Sequence, residues 1–467
     1  MFDRPRRSHR TLARLVAAVT LASALGGCGA SRGDGAANGS ARPQGPGLSR
    51  DQRNISFDPA PLYRQMGMIA QGLPFPVVGR VGFLGSSTPD STHVVVAVSF
   101  PVTAVSFMRE ADNRFRANYT VAITLDRAGV RERAVEASET IVVGTYRETT
   151  RIDESALFQE ILDVAPGRYT LTLAIRDAGS QRSVQEQLEI VVPKLAAGAL
   201  SSPIPVHEVV PRTHRETLPQ LLTSPRATVT FGRDSIIPLY LERYGADDAT
   251  VQLIVRNENG RPLWTATVPI EQRDSMASGT VAVPVGRLGI GVAQLSFVAE
   301  GSADTSSAYV FVGFGEDLPV ARFEDMVAFL RYFATAARLQ RLRDAPEADR
   351  PAAWATFLAE TDSTPATAEH EDLRAYFERL SRTNARFREE GVPGWMSDRG
   401  KVLVVLGEPD QILEPAFTDF QRNRQQLWEY RSLSLQLVFY DQTGTGRWRL
   451  TQSSAVRFET ELRRRLR

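Results

Sequence analysis

The chain has 467 residues, 42% of them hydrophobic and 23% charged, and 55 basic against 54 acidic side chains leave a formal net charge of +1. This is globular material for two to four domains, and it excludes a small disulfide-stapled fold. Without an electrostatic surplus nucleic acid is not an expected partner, and a lone cysteine, Cys28, rules out intrachain disulfides and thiolate metal clusters.

Residues 1–27 have the parts of a secretory signal: Arg4, Arg6, Arg7, Arg10 and Arg14, then an apolar stretch from Leu15 to Leu25, then small residues. The apolar stretch is shorter than the roughly 20 residues a membrane-crossing helix needs. Its ending, Leu25-Gly26-Gly27-Cys28, resembles the bacterial lipobox. That resemblance implies cleavage before Cys28, lipidation of its thiol and a membrane partner held through the lipid. Several acyl chains, at about 0.8 kcal/mol per buried CH₂, make such an anchor essentially permanent. Gly29 in place of Asp resembles outer-membrane sorting, so the implied location is the bacterial cell envelope, at the outer membrane. Residues 28–54 hold Gly, Ser, Ala, Pro and Arg with little to bury and read as a disordered tether. About 25 such residues reach roughly 25–30 Å.

Between 75 and 195, short runs alternate apolar and polar residues between turn formers. The clearest is 168–175, where Tyr169, Leu171, Leu173 and Ile175 share one strand face after Pro166-Gly167. His93–Phe100, Ala117–Leu125, Ala134–Val143 and Val184–Val192 are further strands, and the set predicts an immunoglobulin-like β-sandwich. A second sandwich is expected over 205–315, from Ile236–Leu241, Val251–Val255, Leu263–Val268, Val281–Val285, Val292–Val298 and Ala308–Val312. Asn259-Gly260 predicts a type I′ hairpin between two of these strands.

Composition changes at Glu316. Phe323, Met326, Val327, Leu330, Phe333 and Ala337 recur at helical spacing and predict one helix to about Arg343. A second starts at Pro351 with Trp354, Phe357 and Leu358. A third, from Glu369 to Glu389, aligns Leu373, Tyr376, Phe377, Leu380, Asn384 and Phe387, while His370 reads as solvated. The helical segment thus covers 320–390, and a β-rich domain is expected over 391–460. The fold class is mainly β with a helical connector: two immunoglobulin-like sandwiches followed by an α+β C-terminal domain.

Residues 394–410 read GWMSDRGKVLVVLGEPD. Gly394, Trp395, Ser397, Asp398, Arg399 and Gly400, a predicted strand Lys401–Leu406, then Gly407, Pro409 and Asp410 closely resemble the signature of the GWxTD domain, a bacterial envelope-associated family. Ser397 stands where Thr is usual and keeps the hydroxyl. Upstream, Arg379, Asn384 and Phe387 have the family's spacing, with His370-Glu371 in place of Asn-Glu and Ala375 in place of Glu. Downstream, Leu427 to Tyr430, Leu437 to Asp441, Gly444 to Gly446 and Trp448 to Leu450 resemble its closing hairpins, so the resemblance spans 320–460. The order Gly-x-Pro, Trp-x-Tyr and an aromatic strand ending in Asp and Gly is also similar to a small lipoprotein subunit of the outer-membrane barrel assembly machinery, which implies protein binding.

The motif admits two readings. In one, Ser397 or Asp398 caps a turn, Arg399 forks onto a carboxylate, Gly400 takes positive φ, Gly407 and Pro409 end the strand and Asp410 holds the next turn. Trp395, Trp428 and Trp448 then fill the core under the helices. In the other, Asp398, Arg399, Glu408 and Asp410 form a polar site, with the two aspartates doing acid/base work on a glycan and Trp395 and Trp448 exposed to bind it. A strand about 20 Å long between Asp398 and Asp410 favours the first. No P-loop, nucleophile elbow or HExxH is present, and His207 and His214 match no common ligand spacing, so no cofactor or metal is expected. The expectation is a non-enzymatic envelope lipoprotein that holds or assembles envelope proteins through its C-terminal domain. The alternative is a glycan-binding or glycan-processing protein using Asp398 and Asp410.

Overall fold

The computed structural model describes residues 59–466 apart from 89, 152–153, 232, 246–249, 274–275, 300–304, 314–321, 368–369, 388–392, 415–423, 442–443 and 445. The expected signal sequence, Cys28 and the expected tether lie outside the described residues.

Two antiparallel sheets build the first sandwich. One runs in the order Ile69–Gln71, Val77–Gly85, Thr92–Pro101, Ser155–Val164. The other runs Val130–Val143, Phe115–Arg127, Gly167–Asp177, Ser183–Val192, with Met108–Arg109 beside Phe115. Tyr169, Leu171, Leu173 and Ile175 are buried together in the core between the sheets. Alternation does not reveal Val77–Gly85, because its sheet is covered on both sides there. Its outer face, through Leu84, Val95 and Ile161, packs on Ile204, Val206 and Tyr240 of the second sandwich.

The second sandwich pairs the sheet Gln220–Thr223, Ile204–Val210, Ile236–Tyr244, Met276–Pro284, Gln272–Arg273 with the sheet Thr228–Thr230, Thr305–Gly313, Gly291–Ala299, Thr250–Asn257, Pro262–Pro269. Thr228–Thr230 is the parallel member, against Phe311 to Gly313. The Asn259-Gly260 hairpin is present, but only Gly260 has positive φ (76°), so the turn is not type I′. Asn257 closes the loop instead, its Oδ1 accepting from the amides of Asn259 and Arg261 at 3.0 Å each.

The helices continue the core of the second sandwich without a break: Val285, Leu288 and Ile290 share one apolar cluster with Phe323, Trp354 and Phe377. The single helix expected from Arg322 to Arg343 is two. Phe323–Phe329 ends in a 3₁₀ turn, Leu330–Tyr332, and Ala336–Asp344 starts afresh from Thr335, whose hydroxyl accepts from the Arg338 amide at 3.4 Å. The restart rotates the stripe, so Leu339 and Leu342 are buried and Ala337 is exposed. Arg350–Thr361 buries Trp354 and Phe357, and Glu371–Arg386 buries Leu373, Tyr376, Phe377 and Leu380. Asn384 is half-buried. His370, expected to be solvated, caps the latter helix: its Nδ1 accepts from the Leu373 amide at 3.2 Å, and its Nε2 lies 3.0 Å from the Thr361 hydroxyl.

The largest departure is at Lys401–Leu406. This segment is helical, within Asp398–Leu406, rather than a strand. A short run of buried Val and Leu has no periodicity to separate helix from strand, and the Ser397 cap decides the matter locally. An antiparallel sheet follows, in the order Gln411–Leu413, Arg424–Tyr430, Leu435–Asp441, Trp448–Leu450. The chain then forms a helix that the periodicity does not reveal, Gln452–Arg465, in which Phe458 and Leu462 are the large apolar side chains that turn inward. Among the described residues no helix is long and apolar enough to cross a membrane.

Candidate functional site

The motif begins as a 3₁₀ turn, Gly394–Met396, folded back on the helix Asp398–Leu406. Ser397 makes the joint: its hydroxyl donates to the Gly394 carbonyl at 2.8 Å and accepts from the Gly400 amide at 3.0 Å. That closeness explains both glycines. A Cβ on Gly400 would lie 1.9 Å from the Gly394 oxygen, and one on Gly394 would lie 2.5 Å from the Phe387 oxygen. Gly400 is therefore needed for space, within a helix, instead of for the positive φ expected of it. Gly407 does have positive φ (81°), and it ends the helix by donating its amide to the Leu403 carbonyl at 2.9 Å. Pro409 follows and keeps the helix from resuming.

This helix is a wall between two cores. Val404 joins Trp395 in the cluster that runs through the helices into the second sandwich. Val402, Leu403 and Val405 face the cluster of Trp428, Phe439 and Trp448 under the sheet. Trp395 is fully buried, edge-on to Phe329 and Tyr332 at 5.7 and 5.9 Å, with the Arg331 guanidinium 4.9 Å from its centre. Trp448 is 3% exposed. The expectation that Trp395 and Trp448 present exposed faces to a glycan is thus corrected: each fills a core. Trp395 also serves the helices, whereas Trp428 and Trp448 serve the sheet.

The polar residues of the motif bind chain to chain. Asp398 Oδ2 accepts from the Leu450 amide at 2.9 Å, and its Oδ1 lies 3.1 Å from Lys401 Nζ and 3.7 Å from Arg449 Nη1. Arg399 lays its guanidinium over the rings of Phe387 and Trp448, at 4.8 and 5.0 Å. Asp410 Oδ2 accepts from the Arg431 amide at 2.7 Å, so it holds the end of the neighbouring strand Arg424–Tyr430, where a hold on the turn following Asp410 was expected. Glu408 takes Arg386 Nη1 at 2.9 Å on both oxygens, at the surface. Arg379 Nε donates to the Val404 carbonyl at 3.0 Å, and the Tyr430 hydroxyl to the Gly407 carbonyl at 3.0 Å. Burial also raises the Tyr430 phenol, with Glu408 adding to the shift.

Asp398 and Asp410 are not brought together. Asp398 opens a nine-residue helix, about 13 Å long, Asp410 lies beyond its other end, and each is engaged with a different part of the sheet. Among the described residues no group of three or more His, Cys, Asp or Glu is placed to hold a metal ion. His207 is exposed on Ile204–Val210, and His214 lies in the loop beyond that strand.

Sequence reasoning missed a second constellation, at the junction of the sandwiches. Arg212 and Glu242 form a buried pair, Nε to Oε1 at 2.8 Å and Nη2 to Oε2 at 2.6 Å. Tyr240 and Tyr244 both donate to the Glu242 carboxylate. Arg212 Nη2 also donates to the Gly85 carbonyl of the first sandwich at 2.8 Å, and the Gly85 amide donates to the Tyr244 hydroxyl at 2.5 Å. Burial and the Glu242 charge push both phenols well above their usual range. The alternation Tyr240, Glu242, Tyr244 on one face of a strand was the available signal, but the partner Arg212 is 30 positions away.

The family model of the GWxTD domain matches residues 296–455. The match starts inside strand Gly291–Ala299, upstream of the helices, which fits the unbroken core between the second sandwich and the helical segment. No curated protein matches the chain. Among solved structures, trypsin-activated alpha-2-macroglobulin from Escherichia coli is similar at 12% identity and a TM-score of 0.17, over 53% of this chain and 17% of that one. A β-glucuronidase from Bifidobacterium dentium is similar at 11% identity and a TM-score of 0.18, over 53% of this chain and 48% of that one. The match thus spans well under two thirds of either relative's length, and likenesses this slight carry no argument about fold or activity. The motif joint and the family match together identify the C-terminal part of this chain, residues 296–455, as a GWxTD domain.

Proposed function

We propose that this protein is a non-catalytic envelope lipoprotein, anchored to the outer membrane through Cys28, whose GWxTD domain binds or assembles other envelope proteins. The observation that carries the reading is the use of the motif's polar groups: Ser397, Asp398 and Asp410 each accept from a backbone amide of this chain. A site that spends its carboxylates on its own backbone has little left for acid/base chemistry on a substrate. The lipobox-like ending at Cys28 and the polar tether support placement beside a membrane.

Growth with an alkyne-bearing fatty acid, followed by tagging, tests the anchor: the wild-type chain is labelled and Cys28→Ser is not. Crosslinking on intact cells followed by purification from membranes tests the partner. A reproducible partner whose crosslinks to the full chain map to residues 296–455 supports the proposal; recovery of the chain alone counts against it. Activity on cell-wall polymers that disappears in a folded Asp398→Asn variant would overturn it.

A further inference from the structure

A cavity of about 140 Å³ opens between the two sandwiches, lined by Ser99 and Ser155 of the first and by His207, Ser224, Arg226 and Thr228 of the second. It offers four hydroxyls, an imidazole and a guanidinium, and no carboxylate lines it. Arg226 makes no ion pair among the described residues, and its Nε is buried without an acceptor. An N–H left this way is destabilising relative to one that is satisfied. A second guanidinium, that of Arg80, is not part of the lining but acts on the same Tyr63 phenol as Arg226. Arg80 is 8% exposed, its Nη2 donates to the neutral Tyr309 carbonyl at 2.7 Å, and its Nε too is buried without an acceptor. The Tyr63 phenol, 3.5 Å from Thr228 Oγ1, feels the charge of both arginines. Buried charge of one sign, with donors around an opening, is the chemistry of an anion site.

We infer that this cavity binds a small oxyanion, a phosphate or the carboxylate of an anionic sugar, with Arg226 as the charged ligand and His207 and Ser224 as further donors. Its size supports that class: pockets for whole small molecules measure roughly 300–1,000 Å³, so a single charged group enters and the rest of any larger ligand stays outside. The walls are fixed in place. Gln159 bridges the sandwiches beside the cavity, donating to the Leu221 carbonyl at 2.9 Å and accepting from the Thr223 amide at 3.0 Å. Binding would therefore clamp one sandwich to the other, and it is independent of the GWxTD domain and of the function proposed above.

The test is titration of the purified full chain, by calorimetry and thermal midpoint at constant ionic strength, with inorganic phosphate, galacturonate and galactose against chloride. Saturable binding of phosphate or galacturonate is expected, about tenfold weaker in Arg226→Gln and unchanged in Arg168→Gln, an exposed arginine elsewhere in the first sandwich. Equal binding of phosphate and galacturonate assigns the site to a free oxyanion, and tighter binding of galacturonate assigns it to an anionic sugar. His207→Ala, at an exposed position that does not threaten folding, is expected to weaken binding several-fold. Absence of saturable binding, binding of galactose as tight as galacturonate, or unchanged affinity in both variants overturns the inference.

Discussion

The carboxylate of Asp398, in the first turn of the motif helix, accepts from the backbone amide of Leu450, 52 residues further on, at 2.9 Å. One bond therefore ties the start of that helix to the last strand of the C-terminal sheet. Replacing Asp398 by Ala leaves the Leu450 amide half-buried and unpaired, at a cost of roughly 1–3 kcal/mol. Hydrogen exchange at Leu450 is expected to speed up in Asp398→Ala while the amides of the first sandwich stay protected. Uniform loss of protection in both places would contradict a role confined to this joint.

The Gly394–Gly400 approach predicts an ordering of variants. Ser397→Thr retains the bridging hydroxyl and is expected to be nearly neutral. Ser397→Ala loses a helix cap, worth about 1 kcal/mol. Gly400→Ala forces backbone apart, because its Cβ would lie 1.9 Å from the Gly394 oxygen, and it is expected to be the most damaging of the three. Urea unfolding followed by tryptophan fluorescence would rank them, and a Gly400→Ala midpoint at or above that of Ser397→Ala would refute the steric argument.

At the junction of the sandwiches, removing one member of the Arg212–Glu242 pair leaves the other charged and buried. Arg212→Met or Glu242→Leu alone is expected to cost roughly 3–5 kcal/mol, and the double variant to recover much of that loss. A double-mutant cycle on urea midpoints measures the coupling, and strictly additive losses would show that the two residues act separately.

His93 gives the same junction a pH dependence. It is 7% exposed, and desolvation lowers its pKa more than Asp163, with Oδ1 at 3.4 Å from Nδ1, and Glu242 raise it; Arg212 and Arg215 add to the lowering. The folded state thus takes up its proton at lower pH than the unfolded state, whose imidazole titrates near 6.5. As pH falls below about 6.5 the unfolded chain binds more protons, so stability declines with acid from this group. His93→Gln is expected to flatten that part of the stability profile between pH 7 and 5, and an unchanged slope would remove His93 from the account.

Local patterning by itself determined much of this molecule. Tyr169 to Ile175 alternate, so they form a strand wherever one face is buried, and Phe323 to Leu330 carry a helical stripe that one core can cover. The spacing of Gly394, Trp395, Asp398, Arg399 and Gly400 marked the segment that the family match contains. Tertiary structure decided what such patterns leave degenerate. Val402 to Val405 are apolar on every side because they stand between two cores, so their helix had no polar face to announce it. Val77–Gly85 lost its alternation for the same reason, being covered by both sandwiches. The partners of Asp398 and Arg212 come from other elements, and side chains that meet only after packing leave no period in the sequence.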